Sequence, residues 1–93
     1  MEINREELAW AAGFHDGEGC FFLDRRKISI TFAISNTHLP AVERFMTAVG
    51  IPRTITAPPE KRARRQIYRY AVRSFEGCQA IAAMLAVPLP GEA

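Results

Sequence analysis

The sequence predicts an α+β domain in the order αββαββα, and three observations predict it. Apolar residues recur at helical spacing in three separated stretches, near residues 4–16, 40–49 and 74–87. Between them the period falls to two, most clearly where Ile28, Ile30, Phe32 and Ile34 alternate with Ser29, Thr31, Ala33 and Ser35. Glycine and proline punctuate the boundaries at Gly17 and Gly19, at Gly50 and Pro52, and at Pro88. Two similar αββ blocks imply a four-stranded antiparallel sheet with its helices on one face, because a sheet with one apolar face must bury it. At 93 residues the chain is expected to form a single domain, 1–93, around one core.

Each element has its own signal. Asn4 is placed to cap a first helix, with Glu7 three residues on and Ile3 and Leu8 set as a hydrophobic staple. That helix runs through Leu8, Trp10, Ala11 and Phe14, and Gly17 and Gly19 predict its end near Asp16. "CFFLDRRK" and "ISITFAISN" read as two strands joined by a tight turn near Arg26 and Lys27. From Pro40 a second helix carries Val42, Phe45, Met46 and Val49 on one side, and Gly50 with Pro52 stops it. "RTITA" then reads as a third strand, "PPEKRARRQ" as a basic loop and "IYRYAVR" as a fourth strand, with Tyr68, Tyr70 and Val72 alternating with Arg69, Ala71 and Arg73. Ser74 caps a last helix bearing Cys78, Ile81, Ala82 and Leu85.

Composition removes several function classes. An apolar fraction of 48% with 24% charged residues excludes a disordered chain. No apolar run approaches the roughly 20 residues of a membrane span. The opening "MEINREEL" is acidic and polar rather than basic and then apolar, so the expected location is cytoplasmic, or an organellar matrix, and not secreted. Cys20 and Cys78 lack metal-ligand spacing and read as buried reduced thiols. His15, Glu18 and Cys20 suggest a zinc deaminase, but the later P-C-x-x-C that such an enzyme needs is absent, as are P-loop and dinucleotide fingerprints.

The net charge of +2 conceals a strong asymmetry. Between Arg53 and Arg73 seven bases face one acid, Glu60, and a second cluster is Arg25, Arg26 and Lys27. Such clustering suits a polyanion. Strand parity places Ser29, Thr31, Arg69 and Arg73 on the sheet face away from the helices, joined by Phe22, Asp24 and Arg26 from the first strand. A polar, partly basic sheet face fits a DNA groove, and the same pattern also describes an ordinary solvated sheet.

The stretch "WAAGFHDGEGCFF" decides between these readings. Asp16 and Glu18 lie among Gly13, Gly17 and Gly19 at the helix end. "AAGFHDGEG", residues 11–19, resembles the LAGLIDADG motif of homing endonucleases in its GF-x-DGEG variety, matching at Ala12, Gly13, Phe14, Asp16, Gly17, Glu18 and Gly19. The family builds an αββαββα fold around one motif, so the resemblance covers nearly the whole chain. It implies a homodimeric, site-specific DNA endonuclease that makes a metal-dependent double-strand break at a long pseudo-palindromic site of double-stranded DNA.

On that resemblance, Ala9, Ala12, Gly13 and Asp16 form the dimer interface, because small residues let the helix of a second copy approach closely across a two-fold axis. Glu18 and the carbonyl of Gly17 are implied as ligands of Mg²⁺ (or Mn²⁺), whose ions activate a water and neutralise the leaving oxygen. Asn36 is implied near the active-site waters. Phe22, Asp24, Arg26, Ser29, Thr31, Arg69 and Arg73 are expected DNA contacts by parity, and Lys61, Arg62, Arg64 and Arg65 are expected at phosphates. His15 replaces the family's usual aliphatic residue, as a dimer-packing histidine or a proton carrier. One departure matters: the family's basic residue beyond the third helix has no counterpart, since no lysine follows Lys61. That leaves a second reading, a non-cleaving nucleic-acid binder of the same fold, either an intron maturase bound to intron RNA or a DNA-binding regulator.

Overall fold

A computed structural model describes residues 4–24, 26–59 and 65–86. The observed elements are α1 (Arg5–Glu18), β1 (Gly19–Asp24), β2 (Ser29–Asn36), α2 (Leu39–Val49), β3 (Tyr68–Val72) and α3 (Phe75–Leu85). β1 pairs antiparallel with β2, and β2 with β3, in the order β1-β2-β3.

Helix boundaries follow side-chain caps. The Asn4 carboxamide oxygen accepts from the Glu7 amide at 3.0 Å, and the Ser74 hydroxyl accepts from the Gly77 amide at 3.1 Å. Glu7 does not close a capping box; its carboxylate takes two bonds from Arg44 of α2, at 2.8 and 3.0 Å, which hold its pKa below the ordinary glutamate value. α2 ends on Gly50 at φ 71°, a left-handed conformation that glycine adopts without strain.

Register sorts the strand residues onto two faces. Phe21 pairs with Phe32 and Phe32 with Val72, while Gly19 pairs with Ile34 and Ile34 with Tyr70. These side chains face the helices. Phe32 occupies the centre, its ring 5.5 Å from Phe45 of α2, 5.0 Å from Phe21 and 6.4 Å from Tyr70. Around it Val42, Val49, Cys78, Ile81 and Leu85 are buried, each large side chain contributing about 1.5–3 kcal/mol by its removal from water. Tyr70 donates its hydroxyl to the Ile51 carbonyl at 2.6 Å, so the phenol of this buried ring is satisfied. Cys78 is free and buried, its thiol within 3.3 Å of the Val72 carbonyl, and burial pushes its pKa up. The side chain of Cys20, the other expected thiol, lies outside those described.

Two boundaries differ from expectation. α1 continues to Glu18 rather than ending near Asp16, because Gly17 falls in the last turn, where a glycine disturbs fewer intrahelical bonds than it would in the interior. "RTITA" is not a full strand. It contributes one bridge, with Thr56 and Arg69 exchanging backbone bonds of 2.9 and 2.8 Å, so the described sheet has three strands plus an isolated bridge instead of four. Pro52, Pro58 and Pro59 flank the segment and lack amide donors, and the Arg53 amide is turned toward the Met46 sulfur. Much of "PPEKRARRQ", including Lys61, Arg62 and Arg64, lies outside the described residues.

Candidate active site and nucleic-acid face

α1 enters β1 without a loop, so the last helical residue, Glu18, adjoins the first strand residue, Gly19. The junction is tight. A Cβ on Gly19 would come within 2.6 Å of the His15 ring and 2.9 Å of the Ile34 side chain, and only glycine lets the helix end press onto β2 here. Gly19 pairs with Ile34 at the end of the β1–β2 ladder, and Asn36 pairs with Tyr68 at the end of the β2–β3 ladder. Glu18, Ser35, Asn36, Thr37 and Ile67 line a cleft of about 320 Å³ at this end of the sheet.

Within the cleft Glu18 is exposed, and Asn36 has a fixed orientation. The Asn36 carboxamide oxygen accepts from the His38 amide at 2.8 Å, which leaves the NH₂ group as a donor toward the cleft. The Glu18 carboxylate and the last carbonyls of α1, Gly17 among them, are oxygen donors without intrahelical partners. Among the described residues no group of three or more His, Cys, Asp or Glu side chains gathers.

His15 turns inward. Its side chain is 13% exposed, its ring lies 5.6 Å from Phe32 at an interplanar angle of 16°, and neither ring nitrogen has a hydrogen-bond partner among the described residues. It is a packing group of the protomer's own core.

The outward face of α1 carries small residues. Ala9, Gly13 and Asp16 are exposed, Ala12 is half-buried, and a Cβ on Gly13 or Gly17 would meet nothing within 4 Å. Trp10 and Phe14 lie around the helix from this stripe, stacked at 5.1 Å, with the Arg44 guanidinium 4.1 Å over the Trp10 ring.

The sheet face away from the helices holds Phe22, Asp24, Ser29, Thr31, Ser35 and Arg69 in alternating register with the core residues. Phe22 is 50% exposed. Asp24 accepts from the Arg26 and Lys27 amides at 3.0 and 3.3 Å and thereby shapes the β1–β2 turn. Arg26 is exposed in that turn, Arg73 is exposed just past β3, and Arg65 is exposed near its start. Arg69 pairs with Ser35, which lines the cleft together with Glu18, and the Arg69 Nε is buried without a partner among the described residues.

Ser35, Thr37 and Ile67 are the cleft residues that sequence reasoning missed. Counting the β1–β2 register outward from Gly19 would have found Ser35. Thr37 and Ile67 depend on where β3 pairs, which strand patterning alone leaves open.

No protein-family model matches the chain, and no curated protein sequence matches it. Solved structures do. The chain is similar to the archaeal intron-encoded homing endonuclease I-Vdi141I complexed with DNA, with a TM-score of 0.65 and 20% identity over 87% of this chain. It is also similar to the LAGLIDADG homing endonuclease I-GzeII in complex with its DNA target, with a TM-score of 0.61 and 22% identity over 91% of this chain. The chain spans 54% of the first structure's length and 29% of the second's. It has the α+β fold of these homing endonucleases, built among the described residues with three strands and one isolated bridge.

Proposed function

We propose that the chain is a metal-dependent DNA endonuclease acting as a homodimer. The observation that carries this reading is the position of Glu18, at a helix end opening into a cleft, beside an outward helix stripe where a Cβ on Gly13 would meet nothing within 4 Å among the described residues. Similarity to homing endonucleases complexed with DNA supports it.

The stripe of Ala9, Ala12, Gly13 and Asp16 takes the same stripe of a second copy, which brings two Glu18 carboxylates toward one axis. Two such acids repel unless a cation lies between or beside them. The donor set suits Mg²⁺ or Mn²⁺: it consists of hard oxygens, and Mg²⁺ is commonly held by one or two carboxylates completed by waters and substrate phosphate. Glu18 and the Gly17 carbonyl would hold the ion, which when bound supplies an activated water and stabilises the leaving oxygen. Asn36 directs its NH₂ at the waters or phosphate oxygens in the cleft. Arg69, paired with the cleft residue Ser35, supplies positive charge close to the phosphate. Phe22, Asp24, Arg26, Ser29, Thr31 and Arg73 line the DNA face, and Lys61, Arg62, Arg64 and Arg65 neutralise phosphates.

The test is a cleavage selection on a randomised duplex library with Mg²⁺ or Mn²⁺ against EDTA, sequencing the ends. Metal-dependent ends at a pseudo-palindromic site are expected. Retention of DNA or intron RNA without cutting would replace this reading with the non-cleaving binder.

A further inference from the structure

Ile28 ends the β1–β2 turn under two disadvantages. Its backbone is left-handed, with φ 50°, which a β-branched side chain rarely tolerates. Its side chain is 89% exposed, the most exposed of the large apolar residues among those described. Four residues separate the paired Asp24 and Ser29, and Ile28 is the last of them, where the chain turns back into β2. Glycine or asparagine would close such a turn without strain. An isoleucine here gains nothing from the fold, neither backbone comfort nor burial.

Strain of this kind persists where function requires it, and the surroundings indicate which function. Arg26 and Lys27 precede Ile28, both exposed, and neither forms an ion pair among the described residues. The Asp24 carboxylate fixes their backbone amides and so holds the turn in one shape. Phe22, half exposed, lies on the same hairpin on the face proposed for DNA. The tip therefore presents one exposed apolar residue beside two cations. Charge of that sign selects a polyanion, and the apolar group suits the methyl-bearing floor of a major groove.

We propose that Ile28 is an apolar reading residue of the hairpin tip, set against base edges of duplex DNA while Arg26 and Lys27 hold the adjoining phosphates. This rests on the DNA-binding reading above and adds to it a residue that strand parity does not select. The contact is made without charge, so it changes affinity and base preference but releases no counterions.

Ile28→Asn separates the two sides of the argument. Asparagine adopts the left-handed conformation readily, so the variant should melt about 4 °C higher or more than wild type. Binding to a duplex selected by the wild-type protein from a randomised library should weaken by about tenfold. The slope of log affinity against log salt should stay unchanged, and reselection should relax base preference at the positions that Ile28 reads. Ile28→Val, which keeps the branched side chain, should retain most of the affinity and the preference. In contrast, Lys27→Ala should lower the salt slope by about one. If wild type selects a duplex and Ile28→Asn binds it equally well with the same preference, the inference falls and the DNA reading survives. If wild type retains no duplex, both fall.

Discussion

Substituting Gly13 should stabilise the isolated protomer and break the dimer, two effects of opposite sign from one position. In the protomer a Cβ at residue 13 meets nothing within 4 Å, so alanine or leucine causes no clash there. Gly13 lies inside α1, and glycine in a helix interior is about 0.8–1.0 kcal/mol less favourable than alanine. For a domain of this size that corresponds to a rise in Tm of roughly 3–8 °C. Across the proposed two-fold axis the same atoms face the partner helix, and overpacking at a close contact costs about 1–3 kcal/mol per site. In Gly13→Leu the added side chain enters twice, once per copy. Dimerisation should therefore weaken by roughly 2–6 kcal/mol, a rise in Kd of about thirtyfold at the least. Sedimentation velocity across a concentration series measures the second effect. Thermal melts at a dilution where wild type is monomeric measure the first. A Gly13→Leu protein that dimerises as wild type does would refute the interface, and a lower Tm under monomeric conditions would show that the protomer itself needs glycine there.

Two further outcomes test the core and the basic loop. Burial pushes the Tyr70 phenol up to about 12 from 10.0, so as pH rises the unfolded chain loses this proton first. The contribution to stability is intact below pH 10 and is lost as pH rises through about 12. Alkaline denaturation should lose that part of its slope in Tyr70→Phe, which should also unfold about 1 kcal/mol more easily at pH 8 because the bond to the Ile51 carbonyl is gone; identical alkaline profiles would remove Tyr70 from this role. Replacing Arg62, Arg64 and Arg65 together with alanine should lower the salt slope of DNA binding by roughly two to three, whereas an unchanged slope would show that this segment leaves phosphate untouched.

How far the fold is legible in the sequence depends on how local each signal is. Asn4, Ser74 and Gly50 act on their own neighbours, and all three helix ends lie where those residues put them. The alternation places Ile30, Phe32 and Ile34 of β2 in the core as expected, whereas Ile28, expected on the same apolar face, lies in the turn before the strand and is exposed. "RTITA" has strand-forming residues, yet prolines bracket the segment and the Arg53 amide is turned toward the Met46 sulfur, so only Thr56 bridges to β3. The site divides in the same way. The stretch around Glu18 is visible as a motif, and the pairing of Ser35 with Arg69 follows from register. Sequence leaves His15 open between two roles because its partners, Phe21 and Phe32, come from strands that spacing alone does not bring beside it. Ile28 counts among the alternating apolar residues of the second strand, and only its backbone angle and exposure set it apart.

The central claim is that Glu18 serves a metal-dependent cut, and the most direct measurement compares wild type with Glu18→Gln on the duplex recovered from the cleavage selection. Glutamine keeps the size and removes the charge. Wild type should cleave in Mg²⁺ or Mn²⁺ and not in EDTA, with Glu18→Gln binding the duplex at least as tightly and leaving it whole. Equal cleavage by Glu18→Gln, or cutting by wild type that persists in EDTA, would contradict it.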